Sequence, residues 1–334
     1  MSDEIKHECG IAVLRLLKPL SYYRDKYGTP LYGLDKLYLL MEKQHNRGQD
    51  GAGVVNIKLD VDAGNKYFSR IRSVKSQPIQ DVFAQINKPI AKLRRKFPEK
   101  IEDLDWLKKN VAFTGELFMG HLRYGTYGVN GIESCHPLLR QNNWKSRNLA
   151  VAGNFNLTNV DEIFDELVQL GQHPKERSDT VTILEKIGHF LDEENDILFK
   201  RFNADNYTNK EISTLIASEI DLKPILSRAA KRWDGGFTIG GLLGHGDAFV
   251  MRDPNGIRPA YYYHDDEIAV VASERPAIQT AFNLSSDQLK EIKPGHALII
   301  KASGQIYEKE FKTPGVKKSC SFERIYFSRG TDVD

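Results

Sequence analysis

The order in which strand-like and helix-like stretches follow one another narrows the fold most. From residue 237 onward, short apolar runs succeed each other at 237–243, 248–252, 260–264 and 268–273. Turn clusters at His245-Gly246, Asp253 to Pro259 and Asp265-Asp266 separate them, which is the pattern of an antiparallel sheet. Two further runs, 297–301 and 305–311, are joined through Ser303-Gly304 and predict a hairpin. Strand runs and helix runs alternate in blocks rather than in βαβ order. Stacked sheets and helices of the α+β class are therefore expected, and a Rossmann arrangement is not.

The first half fits the same scheme. Residues 11–16 predict a strand, and 34–44 a helix with Leu34, Leu37, Tyr38 and Met41 on one stripe. A second strand is expected at 52–59. Residues from about 60 to 115 read as an insertion of short helices punctuated by Pro78, Pro89 and Pro98. Runs at 117–123 and 149–152 predict short apolar strands that give way to polar turns. Asn159 followed by Glu162 resembles a capping box at the start of a helix carrying Ile163, Leu167 and Leu170. Another helix is expected at 180–191, with Asp179 near its N-terminus, and a polar helical stretch reaches Trp233.

A chain of 334 residues can bury a full core and makes one large or two ordinary domains. Its 40% hydrophobic and 28% charged content is that of an ordinary globular protein. No run of 18 apolar residues exists, so no membrane-spanning helix and no membrane partner are expected. Residues 1–8 are acidic and polar without an apolar segment, which points to the cytoplasm rather than to secretion. Three scattered cysteines, Cys9, Cys135 and Cys320, are too few for a disulfide framework or a zinc site, so no metal is expected. A net charge of +2 gives no mandate for nucleic acid. The local excess of lysine and arginine between Lys88 and Lys109 is interleaved with Glu99, Glu102, Asp103 and Asp105, as on a solvated helical face.

Chemistry enters with Cys9-Gly10-Ile11-Ala12-Val13. A cysteine that becomes the first residue acquires its own base. Its α-amine has an ordinary pKa of roughly 7.7–8, against about 8.5 for a thiol, so near neutral pH it can accept the thiol proton. While Glu8 is attached that nitrogen is an amide and cannot. Nucleophile and general base then come from one residue. Taken alone, Cys9 also reads as a small buried residue opening an apolar strand.

Four constellations accompany it on expected strand ends and turns. They are Arg47-Gly48-Gln49-Asp50-Gly51-Ala52-Gly53, Gly120-His121-Leu122-Arg123-Tyr124-Gly125-Thr126, Gly153-Asn154-Phe155-Asn156-Leu157-Thr158-Asn159, and Ser178-Asp179. Each alone reads as a glycine turn, an exposed arginine or a helix cap. As an ordered set with the early Cys-Gly-Ile, they resemble the class II glutamine amidotransferases. The resemblance is closest to the amidophosphoribosyltransferase family, whose glutaminase domain is an N-terminal-nucleophile (Ntn) hydrolase with a four-layer αββα fold. Arg47-Gly48-Gln49-Asp50 has that family's form, and the turn from Arg252 to Pro259 is close to its typical one. The segment from Cys320 to Arg329 looks like the one joining its two domains.

The resemblance implies a role for each matching residue. Cys9 would attack the carboxamide carbon of L-glutamine, giving a γ-glutamyl thioester and ammonia. The Asn154 side-chain amide and the Phe155 backbone N–H would form the oxyanion hole. Arg123 would pair with the substrate α-carboxylate and Asp179 with its α-ammonium. Arg47 would order the site around the processed N-terminus, while His121 and Thr126 would line the substrate side. This chain has Phe155 where the family usually has glycine, and a phenylalanine does not readily take a positive φ. Asn46 is an extra residue before Arg47.

The implied organisation is a propeptide at 1–8, a glutaminase domain at 9–318 with the 60–115 insertion, and the start of a linker at 319–334. A C-terminal phosphoribosyltransferase domain would follow in the full-length protein, which would be a homo-oligomer. This fragment is expected to need no cofactor. Mg2+, and in some members a 4Fe–4S cluster of which Cys320 would supply one ligand, belong with the transferase part. Two rival readings are a stand-alone Ntn amidase, disfavoured by paired Arg123 and Asp179, and a non-catalytic glutamine-binding regulatory domain, disfavoured by Cys9, Asn154 and Asp179.

Overall fold

A computed structural model describes residues 8–125, 131–321, Glu323 and Phe327. Most of the expected propeptide and linker, and Thr126, lie outside the described residues. In chain order the first elements are β1 (Gly10–Leu16), α1 (Leu20–Tyr27), α2 (Tyr32–Lys43), β2 (Gly51–Ile57), β3 (Phe68–Ser73) and α3 (Pro78–Lys96). Next come α4 (Glu99–Glu102), α5 (Leu104–Asn110), β4 (Leu117–Arg123), β5 (Leu138–Arg140), β6 (Leu149–Leu157), α6 (Val160–Gln169) and α7 (Asp179–Ala204). Then follow α8 (Asn209–Glu219), α9 (Leu222–Ala229), β7 (Gly235–Leu243), β8 (Ala248–Arg252), β9 (Tyr261–His264) and β10 (Ile268–Ala272). The last are α10 (Arg275–Phe282), β11 (Lys290–Glu291), β12 (His296–Ile300) and β13 (Ile306–Glu310). The mixture places the chain in the expected α+β class.

Two compact units divide the chain. The first comprises Met1–Pro137, Pro259–Glu291 and Cys320–Asp334. Its seven-stranded antiparallel sheet has the order β11-β9-β10-β1-β4-β2-β3, so β1 is an inner strand. Period-two alternation sends Ala12, Leu14 and Leu16 to the helix-covered face, where they pack with Leu34 and Leu37 of α2 and Ile278 of α10. Ile11, Val13 and Arg15 take the opposite face and are also buried.

The second unit comprises Leu138–Arg258 and Ile292–Ser319. Its six-stranded antiparallel sheet has the order β13-β12-β8-β7-β6-β5. Leu149, Val151, Phe155 and Leu157 from one face of β6 share a core with Ile183, Leu184, Ile187 and Leu191 of α7. Of the described helices, none is long and apolar enough to cross a membrane.

Several expectations change. The 60–115 stretch is not a string of short helices: β3 pairs with β2 as an edge strand, and α3 runs 19 residues through Pro89. Pro89 is exposed, so water can satisfy the carbonyl that loses its intrahelical partner, while Ile79, Val82, Phe83, Ile86 and Ile90 anchor the buried face. The helix expected at 180–191 continues to Ala204. Asn159 sits at the N-cap of α6 without capping it, because its side chain accepts from Asp234 N and donates to Arg232 O. Leu170 is 39% exposed rather than part of the buried stripe. Helices α1 and α10 were not anticipated.

Candidate active site

Cys9 immediately precedes β1, with a half-buried thiol outside any disulfide. The start of that strand is pinned by a buried polar set. Ile11 N donates to Ser273 Oγ at 3.0 Å, and Ser273 N lies 3.1 Å from Ile11 O and 3.0 Å from Gln44 Oε1. Gln44 Nε2 in turn donates to Leu40 O at the end of α2. Cys9 thus sits at the head of an inner strand tied to both a helix end and the strand β10 beside it.

Arg47 follows in a single 3-10 turn, His45–Arg47, which also absorbs the extra Asn46. Its guanidinium is only 2% exposed. Nε donates to Glu274 Oε1 at 2.8 Å, while Nη1 and Nη2 form a fork onto Glu323 at 3.2 and 2.5 Å. Glu8 Oε2 lies 3.8 Å from Nη1, and the Phe327 ring stands 4.6 Å from the guanidinium carbon. Burial by itself pulls the guanidinium pKa down, but Glu323 and Glu274 outweigh it, and the net shift is upward. The aliphatic stem packs against Gly10, where a Cβ would lie 3.4 Å from Arg47 Cβ and Cδ. Arg47 therefore supports the residue next to Cys9, with its charge compensated by carboxylates.

The same loop reaches Arg123. Gly48 lies against the backbone of β4, and a Cβ there would come within 2.5 Å of Leu122 C. Asp50 N donates to Arg123 O at 3.1 Å, and Gly125 N donates to Asp50 Oδ2 at 2.7 Å. Arg123, the last residue of β4, is buried, with Nη1 3.4 Å from Gly131 O. His121 is wholly buried on the same strand, its ring 4.3 Å from that of His136. Its surroundings are thus a packed histidine pair. Cys135 is enclosed too, with Sγ 3.5 Å from Ala52 O, and burial pushes its thiol up to about 11.

In the second unit, Asn154 and Phe155 do not lie on a turn. Both are inside β6, opposite Thr238 and Phe237 of β7. Phe155 is not among the described residues with positive φ, so the glycine-to-phenylalanine departure is accommodated by extended backbone. Its side chain fills the core, while Asn154 alternates to the opposite face with Ala150 and Ala152. Thr158 N donates to Asp234 O at 3.0 Å. By antiparallel alternation Asn156 and Asn154 then exchange bonds with β7, and the Phe155 N–H turns away from β7, toward the side on which β5 begins at Leu138. Asp179 opens α7, half-buried, with Oδ1 accepting from Thr180 N at 2.7 Å. Ser178 is the N-cap, accepting from Val181 N. The carboxylate thus stands in the first turn of a 26-residue helix, at the positive end of the helix dipole.

The expected residues thus divide. Cys9, Arg47, His121 and Arg123 stand on the first unit, and Asn154, Phe155 and Asp179 on the second. Sequence reasoning missed Gln44, Ser273, Glu274 and Glu323. A trace existed for two of them, since Ser273-Glu274 breaks an apolar strand with a polar pair.

No family model matches the chain. The amidophosphoribosyltransferase of Methanothermobacter thermautotrophicus is 24% identical over 99% of this chain and 55% of its own length. That of Escherichia coli is 27% identical over 88% of this chain and 49% of its own, and that of Archaeoglobus fulgidus 30% identical over 66% and 41%. Among solved structures, the glutamine phosphoribosylpyrophosphate amidotransferase of B. subtilis superposes with a TM-score of 0.61 at 24% identity, covering 96% of this chain and 53% of that one. A structure described as the allosteric regulatory enzyme of purine biosynthesis gives 0.63 at 25% identity, with the same coverages. The chain spans about half the length of the curated relatives it matches. By sequence and by its Ntn-hydrolase fold, the chain is a relative of the amidophosphoribosyltransferases over about half of their length.

Proposed function

We propose that this chain is the glutaminase half of an amidophosphoribosyltransferase, acting in de novo purine biosynthesis. The observation that carries the reading is Cys9 at the head of an inner strand, with Arg47 and Arg123 tied beside it through one loop, in a relative of those enzymes. Once residues 1–8 are removed, the Cys9 α-amine takes the thiol proton and the sulfur attacks the carboxamide carbon of L-glutamine. The carbonyl π electrons move onto oxygen, where Asn154 and the Phe155 N–H donate to the oxyanion, each such donor typically contributing about 3 kcal/mol. Collapse breaks the C–N bond, and the α-ammonium returns its proton to the leaving nitrogen, which departs as ammonia. Water, deprotonated by the same amine, then hydrolyses the thioester to glutamate.

Arg123 and Asp179 supply opposite charges for the α-carboxylate and α-ammonium of a free amino acid, which selects glutamine over a glutaminyl side chain in a peptide. His121 and Thr126 are assigned to the substrate side. Attack of the ammonia on phosphoribosyl pyrophosphate, giving 5-phosphoribosylamine, is assigned to a C-terminal phosphoribosyltransferase domain, together with Mg2+ and any 4Fe–4S cluster. A cytoplasmic homo-oligomer fits the same reading. The test measures glutamate formed from L-glutamine alongside intact mass. Active protein should begin at Cys9, and Cys9→Ser should lower kcat at least about a thousandfold. Full activity in protein that retains Met1 would sink the free-amine mechanism.

A further inference from the structure

Glu323 lies 276 positions from Arg47 in sequence, yet both oxygens of its carboxylate accept from that arginine. Both side chains are buried, at 2% and 8% exposure. The Phe327 ring covers the guanidinium as well. Arg47 meets two further carboxylates, Glu274 and Glu8, and its stem packs on Gly10, the neighbour of Cys9. Glu323 and Phe327 are therefore fastened to the side chain that braces the residue beside Cys9.

We propose that Glu323 is a positioning residue for Cys9, acting through Arg47, and that its contact with Arg47 sets how well the nucleophile works. The inference rests on the glutaminase reading for its kinetic consequence alone. The fork matters because it fixes orientation as well as charge. Glu274 accepts from Nε, so without Glu323 both terminal nitrogens lose a buried acceptor pair and the guanidinium is oriented less firmly. Its stem then no longer braces Gly10 in one place, and the sulfur of Cys9 loses a fixed approach to an acyl carbon. Glu323 touches neither substrate nor thiol in this scheme, so its loss should appear in turnover rather than in glutamine affinity.

The test compares the full chain with Glu323→Gln, Glu323→Asp and Phe327→Leu, each with its mass and melting temperature recorded. Glu323→Gln keeps the shape and removes the charge. It should lower kcat about tenfold or more while KM for glutamine stays within about twofold, and Glu323→Asp should recover part of the loss. Alkylation of Cys9 by iodoacetamide, followed by peptide mass mapping, should change in rate at least threefold in Glu323→Gln. Wild-type kcat together with an unchanged Cys9 alkylation rate would overturn the proposal. If wild-type protein has no glutaminase activity, the functional reading fails and the alkylation rate alone decides the positioning. If Glu323→Gln does not fold, Phe327→Leu decides, because it leaves every carboxylate in place. A two- to fivefold fall in kcat or a matching change in alkylation supports the coupling, and no change in either refutes it.

Discussion

Replacing Gly48 by alanine tests whether the loop after α2 sets the position of Arg123. Gly48 has φ −162° and ψ 115°, extended backbone that alanine adopts freely, so the substitution adds no conformational strain. Its effect is steric. The new methyl would stand 2.5 Å from Leu122 C and 2.6 Å from Arg123 N and C. Carbon atoms rest about 3.5–4.0 Å apart, so something must move by about 1 Å. β4 cannot readily yield, because it is paired with β1 on one side and β2 on the other. The loop lifts instead, loosening the bonds that join Asp50 to Arg123 and Gly125. Overpacking of this kind costs about 1–3 kcal/mol and each weakened hydrogen bond about 1 kcal/mol. A total of about 3–5 kcal/mol should lower Tm in scanning calorimetry by on the order of 4–7 °C. A 1 Å displacement at the site costs about a hundredfold in turnover, so glutamine hydrolysis should fall much further than the Tm shift suggests. A Gly48→Ala protein with Tm within about 1 °C of wild type and unchanged kcat would refute this coupling of loop to strand.

Arg123→Ala and Asp179→Ala should act mainly through lost substrate binding, raising KM at least as clearly as they lower kcat in steady-state assays; a pure kcat effect in both would contradict their assignment. A glutamine analogue bearing an electrophile should label Cys9 and spare Cys135, whose thiol is pushed up to about 11 by burial. At pH 8 about one Cys135 in a thousand is a thiolate, so modification there, read by peptide mapping, would mean that Cys9 is the wrong nucleophile. Asp247→Asn should destabilise the second unit, because Asp247 is fully buried against Lys301, His245 and the Ala302 N–H. Burial raises its carboxyl pKa, but His245 and Lys301 outweigh that and hold it below the ordinary 3.8. The ionised form is thus favoured by folding: its contribution is complete above about pH 4 and is lost as pH falls through the lower native value. The Tm gap between wild type and Asp247→Asn should be widest near neutrality and close below pH 4, and a gap unchanged at pH 3 would contradict it.

What was legible in the sequence followed the reach of local rules. β1, β4, β8 and β10 were readable because dense runs of apolar side chains, bounded by turn residues, mark buried strands whichever face each residue takes. β6 was read only to Ala152, since Gly153, Asn154 and Asn156 have the composition of a turn. Phe155 and Leu157 nonetheless continue the alternation begun by Leu149 and Val151, and the period was the better guide. Pro89 misled in the opposite sense. A helix tolerates an interior proline when the orphaned carbonyl can reach water and its apolar face is long, and neither condition is a property of the proline. The proposed nucleophile and substrate-facing residues were legible because they travel in short motifs. Their supports were not. Ser273 and Gln44 are 229 positions apart, and only the sheet brings them together.

With residues 1–8 attached, one buried guanidinium faces three carboxylates, from Glu8, Glu274 and Glu323. Each buried carboxylate in contact with the guanidinium helps to fix it, and Glu8 is the residue before Cys9. Under the proposed maturation, cleavage before Cys9 takes Glu8 away and leaves Glu274 and Glu323 among the groups that hold Arg47. Glu323, which meets both terminal nitrogens, then matters more to the orientation of Arg47 than before cleavage. Its loss would reach Cys9 through Arg47 and Gly10, from a residue that neither touches the substrate nor neighbours the proposed nucleophile in sequence.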